Sequence, residues 1–506
     1  MELNTSHTSM KGSSSPSQIT AVISNEEIPT CFYKTLTFSV TLDEPSSFMS
    51  FISITPPPHS FNFSKSLSDL VAYKSDGDQT LTCYFIFRGE NYLWRLLELQ
   101  IAFHPTSNLL PKWVDIIEKY LSKYFRPKSL LFVINPKAGN NSAKKHFALE
   151  IEPILRKLNI KYEVHYTKCR GDATEVGRGI SESDLDGIVS LSGDGTFNEL
   201  VLGILSSENN TQIVPNSIPV AAIPCGTANT FSYSMHGTDD KETALLHILI
   251  GDIKKVDIMS VKNINEKLLG VSLTMIAFGF FADAIRDGEG YKKWLPGTLA
   301  YSAAFMKYIM KMNKYRCSIA LQKTQSYPYE PITCKHDCPT CNSDPPENEV
   351  ERVESHEPKI FGIQLHNHTS KCEMSPRGAS AFGCFGNGSM DCHIMRDVTR
   401  SEVGEMLKEV GKKAHENPKD EFDFIENMRV NKILISNFGS ESETGKSGFI
   451  LDGEFIEQEP IEIQCHQKVL TYFGRGLELD FGTESEPLLD KQIQQSRNVC
   501  SSCSIQ

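Results

Sequence analysis

The sequence predicts an α/β domain with a parallel sheet, followed by a β-sandwich-like domain and preceded by a small β-rich module. Three observations predict it. Between residues 128 and 255, short apolar runs alternate with stretches of helical period, the pattern of parallel strands joined by helices. Each of those runs ends in a loop rich in Gly, Thr or Asn. From residue 256 the rhythm changes to strand after strand, with turns between.

Composition narrows the class. The chain has 506 residues, enough for two or three domains, and 40% hydrophobic with 23% charged residues is ordinary for a globular protein. A net charge of −12 argues against a nucleic-acid binder, which needs clustered Lys and Arg. The first thirty residues are rich in Ser and Thr without the apolar core of a secretory signal, so the 14 cysteines are read as mostly reduced and the protein as cytoplasmic. The uncharged run 268–282 is too short and too polar for a membrane helix and reads as two buried strands.

Taken in order, residues 1–30 lack periodicity and are expected to be disordered. Residues 31–124 hold β-rich runs at 33–41 and 80–88. An amphipathic helix then carries Leu110, Trp113, Ile116, Ile117 and Leu121 on one face. Strands closed by one helix with a buried Trp resemble a pleckstrin-homology domain. The α/β domain, 128–255, begins with the strand 129–134, which ends in Asn135-Pro136-Lys137-Ala138-Gly139. A helix at 142–158 turns Phe147, Ile151, Ile154 and Leu155 inward. The strand 161–166 ends in Thr167-Lys168-Cys169-Arg170-Gly171, and Asp172 caps the next helix. The strand 187–191 runs into Ser192-Gly193-Asp194-Gly195-Thr196, and 219–223 into Cys225-Gly226-Thr227-Ala228-Asn229. The second domain, 256–481, has strands at 256–262, 268–282, 317–321, 359–367, 428–436, 461–465 and 469–473. It also has a helix near 299–312 and an acidic insert at 325–358. Residues 482–506 read as a flexible tail.

The loop at Asp194 carries the chemistry. Two glycines allow a ligand close to the main chain, and a helix starting there points free N–H groups at an anion. In parallel sheets the loops at the carboxyl ends of the strands share one crevice, so all four loops converge on one ligand. A carboxylate inside an anion site weakens phosphate binding unless it handles a proton. Asp194 suits a general base acting on a hydroxyl laid against the phosphates. An ordinary Asp-Gly turn between strand and helix is the alternative.

Four motifs in order, Asn135-Pro136 with Gly139, Ser192 to Thr196 with Asn198-Glu199, Gly226-Thr227-Ala228-Asn229, and Asp452-Gly453-Glu454, resemble the diacylglycerol and sphingoid lipid kinase family over about residues 128–480. The resemblance implies an ATP-dependent lipid kinase. Asn135, Pro136, Lys137, the loop Thr167, Lys168, Cys169, Arg170 and Gly171, Glu199, Gly226, Thr227 and Ala228 would hold ATP. Asp452, Gly453 and Glu454 would approach from the second domain. Ser192, Gly193, Asp194 and Gly195 would face the lipid, with Asp194 the base. Asp283 would meet the lipid's polar head, or simply cap a helix at a strand end. Lys292 would meet the phosphates, or lie solvated at the surface. Mg2+ is implied because triphosphate charge must be neutralised during transfer.

The Cys334, Cys338, Cys341 spacing, Ser375-Pro376-Arg377-Gly378, the stretch 424–430, Phe473-Gly474-Arg475-Gly476 and the N-terminal module are similar to the branch of the family that acts on ceramide. The sequence departs from that branch at three places. Ser192 stands where glycine is usual, and the Gly226 to Asn229 loop is nearer to sphingosine and diacylglycerol kinases. Ala300 stands where a basic residue is expected. Sphingosine and diacylglycerol therefore remain alternative substrates, and a non-catalytic lipid-binding relative an alternative class.

Cys334, Cys338 and Cys341 are open to three readings: reduced thiols shaping a loop, zinc ligands with His336 or Cys372 as the fourth, or an iron–sulfur signature, whose usual place early in a β/α barrel does not match. The tail ends Cys503-Ser504-Ile505-Gln506, a C-a-a-X box for a prenyl group. Cys500 is a candidate for a palmitoyl chain, and an unmodified tail is equally open. With a water-insoluble substrate, the expectation is a peripherally membrane-associated protein.

Overall fold

The computed structural model describes residues 18–19, 30–33, 36–45, 47–53, 63–77, 79–89, 91–180, 185–207, 209, 211–324, 334–343, 352–355, 359–380, 382–410, 422–438 and 447–477. Cys500, Cys503, the first 17 residues and most of the acidic insert lie outside them. The chain divides into two compact units, one up to residue 125 and one spanning 126–479.

In the first unit the strands at Leu36–Asp43, Phe48–Ser53, Leu70–Asp76, Thr80–Arg88 and Trp94–Ala102 belong to one eight-stranded sheet. The helix Leu109–Leu121 packs Leu110, Trp113 and Ile117 into a core with Phe51, Phe85, Phe87 and Leu99. The Trp113 ring stands edge-on to Phe103 at 5.2 Å. Alternation on a half-buried sheet and the helical spacing of that apolar face account for this arrangement.

The second unit opens with β1 (Ser129–Ile134), β2 (Lys161–Tyr166), α1 (Asp172–Gly179), β3 (Gly187–Ser192), α2 (Asp194–Leu205), β4 (Val220–Pro224), α3 (Thr230–His236) and α4 (Lys241–Leu249). The strands are parallel in the order β2-β1-β3-β4, and every residue of β3 and β4 is buried, as their largely apolar runs favour. There follow β5 (Ile253–Asn263), β6 (Leu268–Ser272), β7 (Met275–Gly279), α5 (Phe280–Tyr291), α6 (Gly297–Lys311), β8 (Ser318–Lys323), β9 (Gly362–His366), β10 (Met390–Met395), α7 (Arg400–Val410), β11 (Ile425–Ser436), β12 (Phe449–Leu451) and β13 (Ile461–Phe473).

The expectation of an α/β domain followed by a separate sandwich-like domain is corrected here: the parallel and antiparallel strands form one mixed sheet, joined by β13. The two runs expected at 461–465 and 469–473 are a single strand of 13 residues, roughly 43 Å at 3.3 Å per residue. That length lets one strand pair with β4 in parallel at Val220 and Tyr472, and with β5 and β11 antiparallel. Tyr472 ends up under the site helices, its ring 6.0 Å from that of Phe197 on α2 and 5.0 Å from that of Phe231 on α3. The uncharged run 268–282 is two strands, as expected, but the helix α5 already begins at Phe280. Helix α7 had no counterpart in the sequence reading.

Candidate functional site

The four loops at the carboxyl ends of β1 to β4 meet. The Asn135 amide donates to Thr196 Oγ1 at 2.9 Å, tying the first loop to the start of α2. The Gly171 N–H donates to Glu199 Oε2 at 3.0 Å, tying the second loop to the same helix. The third and fourth touch main chain to main chain: a Cβ on Gly226 would lie 2.5 Å from the Gly193 Cα, so only glycine fits. Asn229 adopts a left-handed conformation, φ 50°, and its side chain accepts from the Gly226 N–H at 2.7 Å.

This fourth loop delivers the start of α3 to Asp194. The Thr230 N–H donates to one carboxylate oxygen at 3.0 Å and the Phe231 N–H to the other at 3.4 Å. Burial pushes the Asp194 pKa up, and these amides partly oppose it.

Asp194 stands in the wall of a cavity of about 890 Å³. The glycine loops line it with Gly193, Gly195, Thr227, Ala228 and the turn Asp452-Gly453-Glu454. The helices line it mainly with apolar side chains, Phe281 and Ile285 of α5, Phe305, Met306 and Ile309 of α6, and Leu407 of α7, beside the polar Glu289, Tyr301 and Ser302. Nothing in their spacing set these apolar residues apart from core positions. Their arrangement around one cavity is visible only once the helices are packed.

The other expected residues divide. Glu454 reaches the site, pairing with Arg170 of the second loop. A Cβ on Gly195 would lie 3.2 Å from its carboxylate. Burial, and to a lesser degree the Glu454 charge, push Glu199 up. Lys292 lines the cavity, held by Glu289 at 2.7 Å and lying over the Tyr301 ring. Asn135 accepts from the Lys137 N–H at 3.0 Å across Pro136, a turn that shapes the first loop. The Lys168 N–H donates to Asp172 at 2.9 Å and Cys169 is exposed, so the second loop is fixed mainly by its main chain.

Three expectations change. Asp283 does not line the cavity: it sits in the first turn of α5, 2% exposed, and accepts from Tyr315 Oη at 2.5 Å and Ser447 Oγ at 3.0 Å. Ser192 faces the interior, its hydroxyl 2.6 Å from that of Ser190 beneath the glycine loop. Asp452 touches the cavity, yet its carboxylate accepts from Ser272 Oγ and from the N–H groups of Leu273, Thr274 and Met275 at 2.6–3.1 Å. It fixes the turn between β6 and β7, and burial pushes its pKa up to about 6.

A half-buried carboxylate thus stands where glycine loops in main-chain contact meet a largely apolar cavity lining. The chain matches the diacylglycerol kinase catalytic domain over residues 129–261. It is similar to ceramide kinase of Homo sapiens, 27% identical over 462 residues that cover 80% of this chain and 84% of that one. Ceramide kinase 1 of Caenorhabditis elegans is 26% identical over 79% of this chain and 75% of its own. Sphingosine kinase 1 of Arabidopsis thaliana is 25% identical over 74% and 78%. A solved diacylglycerol kinase structure from Bacillus anthracis aligns with 69% of this chain and 98% of its own, at 16% identity and a TM-score of 0.46. Among the described residues no helix is long and apolar enough to cross a membrane.

Proposed function

We propose that the chain transfers the γ-phosphoryl group of ATP to the primary hydroxyl of ceramide, giving ceramide 1-phosphate, with Asp194 accepting the hydroxyl proton. The observation that carries the reading is Asp194 itself, a carboxylate of raised pKa where the glycine loops meet the apolar chamber. A base poised above the ordinary carboxylate range takes a proton more readily near neutral pH. ATP lies along the loops of Asn135 to Lys137, Thr167 to Gly171 and Gly226 to Ala228, with Lys292 and the turn at Gly453 beside it. The Glu199 and Glu454 carboxylates, near enough for one charge to shift the other, suit a hard cation such as Mg2+, which would neutralise phosphate charge.

The apolar chamber takes the hydrocarbon. Each buried methylene contributes ~0.8 kcal/mol, so ten outweigh the ~1 kcal/mol net of a headgroup hydrogen bond several-fold. Affinity then comes from the chains, and the polar contacts set position. Leu295, Leu299, Met306 and Met310 are exposed along or just before α6, and Trp294 is 86% exposed. Such an apolar edge beside the chamber suits contact with the bilayer that supplies the lipid.

Similarity to ceramide kinases over four-fifths of the chain favours ceramide, whereas the glycine-threonine loop at Gly226 keeps sphingosine and diacylglycerol as the second reading. The test is phosphate transfer from labelled ATP to the three lipids side by side. Ceramide should give the highest kcat/KM. A higher value for either other lipid removes the ceramide assignment, and no transfer to any of the three removes the kinase mechanism drawn here.

A further inference from the structure

The four sulfurs of Cys334, Cys338, Cys341 and Cys384 lie within 4.8 Å of one another, and all four residues are buried. The sulfurs of Cys334 and Cys341 lie 3.4 Å apart, those of Cys338 and Cys384 3.3 Å, and those of Cys341 and Cys384 3.2 Å. Cys341 and Cys384 each approach two others, so the group is a four-point cluster rather than two disulfide pairs, and all four thiols are free. Four sulfurs at 2.3 Å from one tetrahedral ion stand about 3.8 Å apart. The observed spacing is near that edge and too tight for thiolates spread around an iron–sulfur cube.

We propose that these four cysteines bind one structural zinc ion. The ligand set departs from both expected fourth ligands. His336 is half exposed beside Asp337, and Cys372 lies in the cavity wall. The fourth ligand, Cys384, is 43 residues beyond Cys341 in the sequence. Binding converts four thiols to thiolates and releases four protons, leaving a complex of net charge −2. Lys254 of β5 is close enough to feel the charge of all four sulfurs and offsets part of it.

The ion would pin together two stretches far apart in sequence, 334–343 and the loop at Cys384. The segment 334–343 is bonded to the end of the second unit, with the Leu477 N–H donating to Cys334 O at 3.1 Å and His336 N–H to Leu477 O at 3.2 Å. Cys384 brings in the loop before β10. Its neighbour Phe385 stacks on His368 at 4.7 Å and meets Phe231 edge-on at 5.6 Å. The Phe231 N–H is one of the two that hold Asp194. The site thus supports the base through two packing contacts without touching the substrate.

The test is elemental analysis of the full-length protein, purified without added metal or chelator. About one zinc per chain is expected. Less than roughly one-fifth of an equivalent, or iron as the main metal, overturns the proposal. Cys384→Ser should lose the zinc and Cys372→Ser should keep it; the reverse pattern overturns the ligand set. To separate metal loss from unfolding of Cys384→Ser, the unmodified protein is also stripped with a mercurial thiol reagent, freed of mercury with excess dithiol, and reloaded with Co2+. Intense thiolate-to-cobalt charge-transfer bands and tetrahedral visible bands are expected. Cobalt uptake without them would overturn the four-thiolate site.

Discussion

The two walls of the cavity are built on different principles. The wall around Gly193 and Gly226 is main chain: two loops in backbone contact, with the Thr230 amide bonded to Asp194 and no volume to spare. The wall of α5, α6 and α7 is side chain, with Phe281, Ile285, Met306 and Leu407 around open space. The triphosphate proposed for the first wall needs donors at fixed positions. Hydrocarbon needs only apolar area, and flexible side chains supply it. The difference teaches where substitutions should hurt: one added methyl on the first wall, and only larger changes on the second.

The largest effect should come from the residue where the walls meet. Asp194→Asn is expected to lower kcat by ~10²–10⁴-fold, with little change in the KM for ATP. The unmodified enzyme should lose kcat/KM as pH falls through the raised pKa of Asp194, so its acid limb should lie above the ordinary carboxylate range. A folded-state pKa above the unfolded value means stability that is present at low pH and lost as pH rises through it. The ionised carboxylate therefore costs stability near neutrality. Asp194→Asn should unfold no earlier than the unmodified protein at pH 8. A variant that is both inactive and less stable would point to a structural role.

Next comes Gly226→Ala. Its methyl would sit 2.5 Å from the Gly193 Cα and 2.9 Å from Asn229 Oδ1, so the loops must part. Misplacement by about an ångström costs on the order of 10²-fold in rate. Steady-state kinetics with saturating lipid and varied ATP would read it, and an unchanged kcat/KM for ATP would break the contrast between the walls.

A smaller effect is expected on the other side. Leu407→Ala removes apolar area from the chamber and should raise the KM for a long-chain lipid roughly tenfold, leaving the KM for ATP in place. A change in the ATP constant instead would mean that α7 does not serve the lipid. The smallest effect should be Gly404→Ala, also on the α7 wall. A Cβ there meets nothing within 4 Å, and the helix interior gains up to ~1 kcal/mol. Activity within about threefold of the unmodified enzyme, with a higher unfolding temperature, would sharpen the comparison with Gly226.

The sequence by itself determined the parallel core and the four loops at its edge. Each is a short string in which strand period, glycine turn and helix period follow one another, and that chemistry is local. Asp194, Glu199 and the Gly226 to Asn229 loop were legible for this reason. Tertiary structure decided what the side chains face. Asp283 and Asp452 look like site carboxylates in the sequence. Asp283 is consumed by Tyr315 and Ser447, and Asp452 by donors about 180 residues away. The apolar wall was illegible because Phe281, Met306 and Leu407 have the same apolar pattern whether they face core or cavity. The fourth cysteine was missed because 43 residues of chain separate it from Cys341, and only the packed loop before β10 brings their sulfurs to 3.2 Å. A turn is specified by neighbours in sequence, whereas a wall or a metal cage is specified by neighbours in space.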